Sequence, residues 1–172
     1  MVLNNYWKFL TVTSVNHYIA GQGNGTLNSG CTDIIGNTNV QICHRSQGAG
    51  YGYGINFNVR EGITVRLGIG TTTPTANDYC LSGDITSSIS SLNYVMTVSS
   101  DEEGFKTQIT VTGQNNTLNT ITLTEIGLCK PTYDLSPNSP SNYILLTHDL
   151  LETPKVVAPG DNFSLTFEWV EA

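Results

Sequence analysis

Residues able to do chemistry are few in this chain, and they are scattered. Asp101, Glu102 and Glu103 form a run of three carboxylates. Acid–base work or metal binding needs carboxylates that converge from separate elements, whereas three adjacent acids at a turn diverge into water. His17, His44 and His148 stand far apart. His148 is followed by Asp149, but no G-x-S-x-G elbow or other nucleophile motif accompanies the pair. The cysteines, Cys31, Cys43, Cys80 and Cys129, contain no C-x-x-C. A zinc site using Cys43, His44 and two distant cysteines lacks the usual ligand spacing. Buried reduced thiols are the expectation, with a disulfide formed after release from a cell as the other course. The stretch GQGNG, residues 21–25, is followed by no helical pattern and is read as turns, not as a dinucleotide fingerprint. No P-loop, H-E-x-x-H or EF-hand loop occurs. The chain is therefore expected to be neither an enzyme nor a metal or cofactor binder.

Aromatic side chains offer a different function. Tyr6, Trp7 and Phe9 crowd the first ten residues, and Tyr51 and Tyr53 alternate with glycines. Burying an aromatic of this size is worth roughly 2–3 kcal/mol, so such a segment docks either on its own domain or on a neighbour. Tyrosines between glycines suit adaptable contact loops. These five residues are the candidate partner contacts. Removal of residues 1–10 is expected to weaken attachment and leave the fold intact. Aromatic platforms also bind carbohydrate, which keeps a lectin or secreted carbohydrate-active enzyme as an alternative. A convergent carboxylate pair would support it, and the sequence offers none.

Behind these residues the patterning is that of strands. Ile109 and Val111 alternate with Gln108, Thr110 and Thr112. Ile121, Leu123 and Ile126 are interleaved with Thr120, Thr122, Thr124 and Glu125, which are read as the wet set. Phe163, Leu165, Phe167 and Trp169 alternate with Ser164, Thr166 and Glu168. A period of two gives each strand one buried and one wet face, as antiparallel sheets require. Residues 91–100 alternate likewise and turn through 101–104 into 105–112. Residues 55–60 and 63–69 read as a second hairpin, with Ile63, Val65, Leu67 and Ile69 on one face. Gly70 and Pro74 then open a loop. Turn signals recur about every ten residues. The expectation is an all-β fold: an antiparallel, jelly-roll-like β-sandwich of about eight or nine strands with long Gly-rich loops. It spans 1–172 as a single domain, with 1–15 as an N-terminal strand or arm and 16–54 as a loop-rich region.

Composition narrows the partners. Of 172 residues only 12% are charged, about half the usual share, and hydroxyl and amide side chains fill the gap. Such faces are easier to dehydrate than Lys- or Glu-rich ones, which suits permanent assembly. Seven basic residues against fourteen acidic leave a net charge of −7 with no basic cluster. Binding to nucleic acid or to an anionic membrane is not expected. No apolar run approaches the roughly 20 residues of a membrane span. The opening residues lack a secretory pattern, so assembly in a cytoplasm is expected.

Two segments carry a resemblance. Residues 65–85, VRLGIGTTTPTANDYCLSGDI, resemble a pattern in small virion proteins of tailed bacteriophages: a strand, G-x-G-T-T-x-P, a spacer, D-Y-x-L, and an acidic residue before Ile. The T-I-T-L-T-E-I-G-L of 120–128, the Y-I-L-L of 143–146 and the P-G-D of 159–161 follow in the same order. The opening N-Y-W-K is also similar. The likeness covers most of 60–172. One departure is Thr147-His148-Asp149, where related sequences often carry Ala-Arg-Asp. The resemblance implies a structural protein of the virion, assembled in the host cytoplasm. The leading expectation is a capsid cement or decoration protein, a homo-oligomer that binds the assembled major capsid protein. The alternative is a tail, neck or fibre-associated adaptor or receptor-binding module.

Overall fold

The computed structural model describes residues 1–8, 25–28, 30–38, 41–44, 63–101, 104–133 and 140–171. Eight strands run through them: β1 (Gly25–Asn28), β2 (Gln41–His44), β3 (Thr64–Gly68), β4 (Ile89–Asp101), β5 (Gly104–Asn115), β6 (Ile121–Tyr133), β7 (Pro140–Val157) and β8 (Asn162–Glu171). Thr86–Ser88 form a single 3₁₀ turn. The described chain is all-β, with a β1-β2 ribbon and two three-stranded antiparallel sheets of order β3-β6-β7 and β4-β5-β8.

The alternation read from the sequence governs these strands. β4 pairs with β5 from Ile89↔Asn115 to Asp101↔Gly104, and β5 pairs with β8 from Phe105↔Glu171 to Gln114↔Asn162. Ile109, Val111, Phe163 and Leu165 are buried, while Gln108, Thr112, Ser164 and Thr166 are exposed. Gly113 lies where Ile89 and Phe163 come together: a Cβ there would stand 2.7 Å from Ile89 Cγ2 and 2.9 Å from Phe163 Cζ. The register of β4 slips between Ser90 and Asn93, where Ser91 adopts a positive φ of 52°. That is the signature of a bulge.

Other expectations are corrected. Residues 4–8 are helical, so the N-terminal segment is not a strand at Tyr6 and Trp7. β1 lies where the Gly- and Asn-rich stretch was expected to be turns; it pairs antiparallel with β2, which falls within residues 39–44, whose alternation reads as a short strand, from Gly25↔His44 to Asn28↔Gln41. Ile69 is 46% exposed, because β3 ends at Gly68 and the chain turns there. Residues 55–60, the first half of the expected second hairpin, lie outside the described residues.

The chain divides into two compact units. The first comprises Met1–Arg66, Thr72–Leu81 and Ile126–Asp149; the second comprises Leu67–Thr71, Ser82–Glu125 and Leu150–Ala172. β3, β6 and β7 contribute residues to both. In the first unit Leu3, Leu81, Cys129 and Leu145 form an apolar cluster, with Ile34 and Tyr143 packed on it. Gly127 permits that packing, since a Cβ there would meet Leu145 Cδ1 at 2.7 Å. No helix among the described residues is long and apolar enough to cross a membrane.

Candidate functional site

The first unit fixes the N-terminal segment to the fold. Val2 bridges Thr147 in antiparallel fashion. The Leu3 amide donates to Leu146 O (3.0 Å), and the His148 amide donates to Met1 O (3.1 Å). The Leu3 side chain is wholly buried. The Asn4 amide reaches Ala76 O at 2.8 Å, and its side chain reaches Asn77 Oδ1 at 2.9 Å. Asn5 then mimics a strand neighbour: Nδ2 donates to Thr32 O (2.8 Å) while Oδ1 accepts from the Thr32 amide (3.1 Å).

Directly after this anchor, Tyr6 and Trp7 meet edge to face, with ring centroids 5.2 Å apart and planes at 82°. Trp7 is 57% exposed and Tyr6 half-buried. The structure therefore places two of the five expected contact residues side by side at the surface. Phe9, Tyr51 and Tyr53 lie outside the described residues. Deleting residues 1–10 would also remove Leu3 from the core. The expectation that such a truncation leaves the fold intact is corrected on that ground, and a point substitution at Trp7 is the cleaner probe.

Two buried titratable groups, Glu125 and His148, meet partners distant in the sequence. Glu125 is wholly buried, in phase with Ile121 and Leu123 and not with the wet threonines. Its Oε2 accepts from the amides of Gly70 (3.1 Å) and Gly83 (3.0 Å). Its Oε1 accepts from the Ser82 amide (3.2 Å) and the Ser82 hydroxyl. The Thr124 hydroxyl donates to Gly70 O at 2.6 Å, completing the hold on that residue. Glycine is required around the carboxylate: a Cβ at Gly68 or Gly70 would collide with it, and one at Gly83 would stand 2.6 Å from Gly70 N. Burial alone would raise the Glu125 pKa. The Ser82 hydroxyl and the amides of Gly83, Ser82 and Gly70 outweigh that and hold it below the ordinary value. This geometry keeps a carboxylate ionised and spends both its oxygens on the two loops. The segments that carry the resemblance, 65–85 and 120–128, are thus joined through one side chain. Sequence reading missed it by grouping Glu125 with Thr124; the step of two from Ile121 through Leu123 was the available signal.

His148 is 2% exposed, and its Nδ1 lies 2.7 Å from Asp78 Oδ2. Asp78 also accepts from the Thr75 amide (2.9 Å) and hydroxyl (2.6 Å). Burial pushes the Asp78 pKa up, but the two Thr75 donors and His148 bring it below the ordinary value. The position at which the resemblance leads to an expectation of Arg is therefore an interior one. Thr147 beside it is buried, and its hydroxyl oxygen accepts from the Leu128 amide at 3.2 Å.

Among the described residues no group of three or more His, Cys, Asp or Glu side chains could hold a metal ion. Cys31 and Cys129 are wholly buried. No family model, curated protein or solved structure matches the chain. What these residues build is an edge-to-face aromatic pair and the Asp78–His148 pair in the first unit, and the Glu125 clamp in the second.

Proposed function

We propose that the chain is a structural protein of a bacteriophage virion. In this reading it is a cement or decoration protein with a jelly-roll-like β-sandwich that binds the assembled major capsid protein and stabilises the shell. The observation that carries the reading is the contrast between Leu3, wholly buried, and Trp7, 57% exposed four residues later. A segment whose anchor lies in the core presents its largest aromatic to solvent in a fixed place, as an interface hot spot requires. The ordered resemblance of residues 60–172 supports the virion, and the low share of charge supports permanent assembly. Stabilisation arises from many copies, each adding a modest contact that must break before the shell opens.

The test is twofold. Quantifying the chain in purified particles separates the cement role, with hundreds of copies, from a tail, neck or fibre adaptor, with a dozen or fewer. Trp7→Ala is expected to leave the protein folded and to weaken binding to undecorated shells by about 30-fold, the loss of a 2 kcal/mol hot spot. Wild-type occupancy of shells by Trp7→Ala would remove the aromatic pair from the proposal.

A further inference from the structure

The two three-stranded sheets have four outer strands among the described residues: β3, β7, β4 and β8. An outer strand offers unpaired backbone groups to any passing chain, and proteins usually blunt it with charge, proline or bulges. Three of the four follow that rule. β3 carries Arg66, β8 carries Glu168 and Glu171, and β7 carries Asp149, Glu152, Pro154 and Lys155. β4 differs. From Ile89 to Ser100 it holds no charged side chain, and Asp101 is its last residue. Asn93, Val95, Thr97 and Ser99 are all exposed, and Val95 is 59% exposed. Its one blunting device, the Ser90–Asn93 slip with Ser91 at positive φ, lies at one end and leaves a regular run from Asn93 to Asp101. The length is nine residues, enough for an ordinary strand pairing.

From this contrast we infer that β4 is a self-pairing edge: two copies of the chain join antiparallel along Asn93–Asp101 about a two-fold axis at Thr97, merging two three-stranded sheets into one of six strands. Charge selects the occupant. At a net charge of −7 the repulsion between two copies is weakest where they meet along a strip without charged side chains, and Ile89–Ser100 of β4 is such a strip. The two-fold at Thr97 sets Val95 opposite Ser99 of the second copy and Asn93 opposite its Asp101. The two Asp101 residues then stand about 27 Å apart, eight residues at roughly 3.4 Å each, well beyond the roughly 8 Å screening length of physiological salt. A two-fold interface of this kind is isologous and closes at two copies. The inference deepens the homo-oligomer part of the proposed function. Its test uses the purified chain alone, so its failure leaves the particle copy number and the Trp7 experiment untouched.

Sedimentation velocity over a concentration series is the measurement. The wild type is expected to dimerise. Thr97→Lys sets two ammonium groups against each other at the axis and is expected to weaken the dimer by roughly tenfold or more, as is Thr97→Glu. An equimolar mixture of the two variants is expected to recover dimer, because Lys then faces Glu. Val156→Lys, an equally exposed site on β7, serves as control and is expected to leave association unchanged. Circular dichroism confirms that each variant is folded. A monomeric wild type, a dimer indifferent to Thr97→Lys, or a mixture that stays monomeric overturns the inference.

Discussion

Glu125 and Asp78 are both carboxylates held below their ordinary pKa, yet they reach that state differently. Glu125 is wholly buried and takes three backbone amides and one hydroxyl. Asp78 keeps a 24% exposed side chain and takes one amide, one hydroxyl and a histidine nitrogen. For Glu125, oriented protein dipoles replace water. For Asp78, water still screens the site. The lesson is that a similar direction of pKa shift can accompany very different stakes. Removing an acceptor from a dry cage strands its donors, whereas removing one at a wet rim lets solvent take its place.

The largest test of that contrast is Glu125→Ala, expected to cost about 3–5 kcal/mol because it empties a wholly buried position and takes the acceptor from four donors, on half-buried Gly70 and Gly83 and on Ser82. Urea unfolding measures it. Leu3→Ala comes next, at about 2–5 kcal/mol for a core leucine, and it shows how far the N-terminal anchor supports the first unit. Glu125→Gln is expected to cost about 1–3 kcal/mol, since its amide nitrogen must face donors that the carboxylate had accepted from. Asp78→Asn should cost about 1 kcal/mol or less. The comparison breaks if Asp78→Asn equals Glu125→Ala.

Acid sharpens it further. Both carboxylates have folded pKa values below their unfolded ones. The unfolded chain thus binds the proton more tightly. Their contribution to stability is complete above the ordinary carboxylate range near pH 4 and is lost as pH falls through the folded values. Stability should drop below about pH 4.5, and Glu125→Gln should flatten that decline more than Asp78→Asn. Chemical unfolding at a series of pH values reads the two slopes.

Much of the fold was legible because it is written locally. The alternation at Ile109–Val111 and at Phe163–Leu165 identifies strands without knowledge of their neighbours, and the polar QNNTLN stretch marks the turn after β5. There Asn115 supplies the turn itself, its Oδ1 accepting from the Thr117 amide at 2.9 Å and its Nδ2 donating to Asn119 O at 2.9 Å. The helical residues 4–8 were not legible, since Tyr6-Trp7 and the hydrophobic run after them have the look of a strand and the deciding contacts come from Thr32, Ala76 and Leu146. Nor were the clamps. Nothing near Glu125 announces Gly70 or Ser82, and nothing near His148 announces Asp78, because these partners are adjacent only once the chain has folded. Of the expected contact residues, Trp7 is 57% exposed while Leu3, which the sequence did not single out, is wholly buried.

The Glu125 clamp also has a consequence in time. It ties residues 42, 43 and 55 positions apart along the chain, while β4 and β5 close on each other at Asp101 and Gly104. Loop closure is slower and less favourable for distant contacts. The β4–β5 hairpin is therefore expected to form early and the carboxylate cage to lock last. Interactions absent from the transition state act on unfolding rather than folding. Substitutions at Glu125 should accelerate unfolding several-fold and barely slow refolding, which makes this one buried charge a latch on how long the native state lasts.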